Sequence, residues 1–132
     1  LFFSSCTQLV FSEIFSSQNT NAGISIQRCL YGDIKGIYSN NDAVGILLES
    51  NSGLNIIDTT ITTPTNEAIL VPQSIDPLAQ EISDVYENIT IFQPGSTAIN
   101  IAEIFFGGTL KGIDIIQPQQ TGPPTGPAAA PR

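Results

Sequence analysis

The chain has 132 residues, twelve acids against four bases, a formal charge of −8, and no histidine, methionine or tryptophan. One domain is the natural size class, and at 41% hydrophobic with 12% charged residues it can build a core, which excludes wholesale disorder. Lack of histidine removes His-based acid–base chemistry, the catalytic triad and imidazole metal ligands. Only Arg28, Lys35, Lys111 and Arg132 carry positive charge. Such scattered cations form no basic patch, which argues against nucleic acid and anionic membranes as partners.

Along the chain, Leu1 to Val10 start apolar but have no basic flank and no long apolar run, so no signal peptide is expected. No segment reaches the roughly 18 apolar residues of a spanning helix. The missing initiator methionine points to a processed product or an excised fragment. Two cysteines, Cys6 and Cys29, are too few for a disulfide scaffold and lack metal-ligand spacing. Neither a cofactor nor a metal site is expected.

A short pattern recurs: small residue, isoleucine, any residue, aliphatic residue. It occurs as Gly23-Ile24-Ser25-Ile26, Gly45-Ile46-Leu47-Leu48, Ala68-Ile69-Leu70-Val71 and Ala98-Ile99-Asn100-Ile101, with steps of 22, 23 and 30 residues. Turn-like clusters precede each copy: Thr20-Asn21, Asn41-Asp42, Pro64-Thr65-Asn66 and Pro94-Gly95-Ser96-Thr97. A second column runs in step, through Ile14, Ile37, Ile57, Ile89 and Ile113. Ile89-Thr90-Ile91-Phe92-Gln93-Pro94 and Ile113-Asp114-Ile115-Ile116-Gln117-Pro118 match at four of six positions, 24 residues apart.

The repeating unit is a β-run, because alternation has period two and β-branched residues dominate. Its apolar runs are too short and too often broken by Gly, Asn, Ser and Pro for helices. Propeller blades need longer repeats, and leucine-rich repeats need a different consensus. The fold class expected is all-β: a single-stranded parallel β-helix (β-solenoid) of about five coils of 20–24 residues, one coil carrying an inserted loop. Equivalent residues would stack about 4.8 Å apart. Twenty isoleucines then make sense as stacked ladders, since each rung repeats one shape. A β-sandwich is the rival, but it would not require columns in phase.

With these coil lengths and motifs such as Glu87-Asn88-Ile89-Thr90-Ile91, residues 1–118 resemble the right-handed parallel β-helix of the pectate-lyase-like group. That group includes viral tailspikes and polysaccharide-degrading enzymes, and its solenoid hosts many functions. Resemblance to tailspike and tail-fibre segments implies a trimer. From residue 119 the chain turns to Pro, Gly and Ala, which favours an extended tail or linker over residues 119–132.

Carboxylates are the abundant ionisable groups. If Ile57, Ile89 and Ile113 point inward, then Asp58, Thr90 and Asp114 point outward in one column headed by Phe15 and Tyr38. Asp58 and Asp114 would stand two coils apart, about 9.5 Å, at the upper end of the ~6.5–9.5 Å of inverting glycosidases. Aromatic faces beside acids suit sugar rings, so Phe15, Tyr38 and Thr90 are glycan-binding candidates. Outward strand positions are also simply polar in most proteins, and no catalytic signature accompanies the acids.

The insertion over residues 72–84 is a second candidate, a loop on one face carrying Asp76, Leu78, Glu81 and Asp84. Calcium is conceivable from its carboxylates, but an ordered ligand pattern is missing. Leu47, Leu70 and Phe105 add outward apolar positions, as expected of an interface. Cys6 and Cys29, one coil apart, are within disulfide reach or form a buried thiol ladder. Asn88-Ile89-Thr90 is a sequon with meaning only in a eukaryotic secretory setting.

The expectation is a structural and adhesive module of an extracellular or virion assembly, homo-oligomeric, contacting a surface polysaccharide. A polysaccharide lyase or glycoside hydrolase using Asp58 and Asp114 is the alternative. A subunit of a bacterial or archaeal extracellular filament is a third.

Overall fold

The computed structural model describes residues 1–72, 80–101 and 104–117. Among the described residues twelve strands follow one another, with no helix among them. The first six are β1 (Phe2–Ser4), β2 (Thr7–Ser17), β3 (Ala22–Gln27), β4 (Leu30–Asn40), β5 (Val44–Glu49) and β6 (Ser52–Thr62). The remainder are β7 (Ile69–Val71), β8 (Gln80–Ile82), β9 (Val85–Phe92), β10 (Ile99–Ile101), β11 (Ile104–Phe106) and β12 (Thr109–Ile116).

Every strand pair among the described residues is parallel and joins one coil to the next. A short wall stacks β1-β3-β5-β7-β10. A long wall stacks β2, β4 and β6, then β8 with β9, then β11 with β12. Five rungs on each wall enclose about four full turns, so the chain is a parallel β-solenoid as its repeat predicts.

Isoleucine ladders fill the interior. Ile24, Ile46, Ile69 and Ile99 share one column, and Ile26, Leu48, Val71 and Ile101 the next. Most of these side chains are fully buried, each contributing about 1.5–3 kcal/mol against exposure. The small residue that opens each repeat has a steric cause. A Cβ on Gly45 would lie 2.6 Å from the Ala68 carbonyl oxygen and 2.8 Å from Ile61 Cγ2.

Corners between the flat runs are made by single residues in the left-handed conformation, a region that side chains other than Gly, Asn and Asp seldom enter. The register sorts the seventeen positive-φ residues among the described ones into four columns. These are Ser5, Arg28 and Ser50; Gln8, Tyr31, Gly53, Ser83 and Gly107; Glu13, Gly36, Asp58, Asn88 and Gly112; and Gln18, Asn41, Thr63 and Gln93. Each long strand is thus bent at a fixed rung position, and the bend itself is stacked.

One inward position departs from the sequence expectation. Ile57 pairs with Lys35 and Glu87 and is half-buried, whereas Thr59 takes the inward place between Ile37 and Ile89. The corner at Asp58 consumes a residue in the left-handed conformation and resets the alternation behind it. Thr59 pays for that place with a buried hydroxyl that has no hydrogen-bond partner.

Side chains also close the ladder at the corners. Directly after the first corner column, the Cys6 amide donates to Cys29 Sγ at 3.3 Å and the Cys29 amide donates to Asn51 Oδ1 at 2.9 Å. Asn51 Nδ2 in turn donates to the Ile26 carbonyl at 2.8 Å. Both cysteines are free thiols, and burial pushes the Cys29 thiol above its ordinary pKa.

Candidate ligand-contact face

Outward residues of the long wall form the column Phe15–Tyr38–Thr60–Thr90–Asp114. Four of the five expected members are brought together. Asp58 is not among them, and Thr60 holds its rung. Asp58 instead sits at the corner between Gly36 and Asn88, where its φ is 55°. There it accepts from Asn88 Nδ2 at 2.6 Å and meets Lys35 Nζ at 3.8 Å, an exposed pair that adds little stability. The Asp58–Asp114 pair expected in one column is therefore divided between two.

Phe15 and Tyr38 stack with ring centroids 4.9 Å apart and planes 15° from parallel, although Phe15 is 73% and Tyr38 42% exposed. Two residues further along each strand, a polar column of Ser17, Asn40 and Thr62 points the same way. Between the two columns runs a groove of about 350 Å³, whose eight lining residues carry no charged side chain. Its aromatic side is flat, and its other side offers hydroxyls and an amide at successive rungs. Ser17, Asn40, Thr60 and Thr62 were not singled out in the sequence, although shifting the Phe15–Tyr38 column by two residues finds three of them.

Behind the groove lies a buried carboxylate. Asp42 is fully buried and accepts from the Asn19 amide at 2.8 Å, Asn19 Nδ2 at 2.7 Å and Ser39 Oγ at 2.6 Å. Burial alone would push this carboxyl up. Hydrogen bonds from Ser39, Asn19 and Ser16 outweigh burial and hold it below the ordinary aspartate range. In sequence Asp42 reads only as a turn residue, so its role was invisible there.

A second groove of about 360 Å³ opens at the other end of the long strands, beside Val10, Tyr31, Asp33 and Asn55. Tyr31 lies over Gly53, where a Cβ would come within 2.9 Å of the ring. Asn55 Nδ2 donates to Asp33 Oδ1 at 2.8 Å along its rim.

Of the expected insertion, residues 80–82 form β8 and pair with β6 and β11, and residues 73–79 lie outside the described residues. Asp84 is not a loop contact. It is fully buried, accepts from the Leu54 amide at 2.9 Å and receives the Tyr86 hydroxyl at 3.3 Å. Asp76, Leu78 and residues 119–132 lie outside the described residues, as do the side chains of Glu81 and Phe105. Leu47 and Leu70 are paired neighbours on the outer short wall and are half-buried.

Among the described residues, no group of three or more His, Cys, Asp and Glu side chains could hold a metal ion, and no helix is long and apolar enough to cross a membrane. No protein-family model, curated protein or solved structure matches the chain. What it presents is a β-solenoid with a flat aromatic and hydroxyl-lined groove on its long wall.

Proposed function

We propose that this chain is a structural and adhesive module of an extracellular or virion assembly, of the tailspike or tail-fibre kind, whose long wall contacts surface glycans. The observation that carries the reading is the exposed Phe15–Tyr38 stack bordering a groove lined with Ser17, Asn40, Thr60 and Thr62. Aromatic faces present flat apolar area to the C–H face of a sugar, while neighbouring hydroxyls and amides pair with its hydroxyl groups. Solenoid ladders make the support stiff, since each coil is hydrogen-bonded to the next along both walls. Its mechanism is mechanical and adhesive, and association into a homotrimer would multiply weak contacts by avidity.

Polysaccharide cleavage draws less support, because the acids it would use lie in different columns. Glycan-array binding with wild type and Phe15→Ala/Tyr38→Ala tests the adhesive reading, and multi-angle light scattering tests the assembly. Binding lost in the double variant together with an oligomeric mass supports the proposal. A monomer that retains no glycan overturns it.

A further inference from the structure

The groove's electrostatics select among glycans. Among the described residues the cationic side chains are Arg28, Lys35 and Lys111, and the Leu1 ammonium donates to the Gly23 carbonyl at 2.7 Å rather than into the groove. Lys35 is paired with Asp58 and Lys111 with Glu87 at 3.6 Å, while Arg28 stands at the corner before β4, at the opposite end of that strand from the groove. No groove residue brings a positive charge. On the other side of Ser39, whose hydroxyl donates inward at 2.6 Å, the carboxylate of Asp42 adds a fixed negative charge behind the groove wall. Asp114 ends the aromatic column, and the chain as a whole carries −8.

An anionic sugar would therefore lose its hydration without gaining a cation, in a negative field. Sugar hydroxyls, by contrast, can donate to Asn40 Oδ1 and exchange hydrogen bonds with Thr60, Thr62 and Ser17. Ser17, Asn40 and Thr62 stand on three successive rungs, about 4.8 Å apart along the axis, a step close to the length of one pyranose in an extended chain. The same column continues with Phe92 and Ile116. Resting on the glycan-contact reading above, we propose that the groove takes an uncharged polysaccharide lying along the solenoid axis and rejects uronate- and sulfate-bearing chains.

Affinity electrophoresis of the full chain against backbone-matched pairs tests this: polygalacturonan with its carboxyl-reduced form, dextran sulfate with dextran, and glucuronoxylan with arabinoxylan. At low salt, at least one uncharged member should retard the protein, and its charged twin should bind about tenfold more weakly or worse. Added salt should narrow the gap. Asn40→Lys, checked for folding by circular dichroism, should raise retention on the charged twin. Equal or tighter binding of a charged twin at low salt overturns the selectivity and leaves the glycan reading standing. Failure of every polymer overturns both.

Discussion

Phe15 and Tyr38, separated by 23 residues in sequence, lie one rung apart with their rings 4.9 Å apart and nearly parallel. Two large apolar rings kept in solvent contribute little to the core, and the pair is worth about 0.5–1.5 kcal/mol to stability. Tyr38→Ala should accordingly cost about 1 kcal/mol in urea denaturation while weakening glycan binding about tenfold or more. A large stability loss with unchanged binding would make the stack a structural feature alone.

The Asp42 carboxylate stitches the first two coils together through Asn19 and is anchored within its own coil by Ser39. Its folded pKa lies below the unfolded value, so the unfolded chain binds the proton first. Its stabilisation is therefore complete above about pH 4, the ordinary aspartate value, and is lost as pH falls through the lower folded value. Asp42→Ala should cost about 1–3 kcal/mol by leaving buried donors unpaired. Asp42→Asn should cost less, since Ser39 can reverse its hydroxyl, and should flatten the acid limb of a stability–pH curve.

Thr59 occupies an isoleucine column with an unpaired buried hydroxyl. Thr59→Val keeps the shape and removes the polar atom, so thermal unfolding should show stabilisation of about 1 kcal/mol. A decrease in melting temperature would show that the hydroxyl has a partner in solution.

Gly45 is confined by the Ala68 carbonyl and Ile61. Gly45→Ala should push two coils apart and cost about 1–3 kcal/mol in denaturant unfolding. Gly107→Ala is the contrasting case, because its nearest neighbour to a Cβ is Ser83 Oγ at 3.5 Å while its φ is +61°. That substitution should cost about 1 kcal/mol through backbone conformation alone.

Sequence by itself determined the solenoid, its period and nearly all of its inward ladders. Ile24, Ile46, Ile69 and Ile99 are legible because burial of a stacked wall imposes the same residue shape at each coil, and that constraint is written directly into residue type and spacing. Position within the long strands was decided only by the tertiary structure. Asp58 and Ile57 satisfy local alternation equally well on either face. The left-handed corner shared with Gly36 and Asn88 shifts Thr59 inward and Thr60 into the aromatic column. Asp42 reads as a turn acid and Asp84 as a loop or interface acid, yet both are buried partners of backbone amides one coil away. A corner depends on the hydrogen-bond register with neighbouring coils, and no short-range pattern in the chain encodes that register.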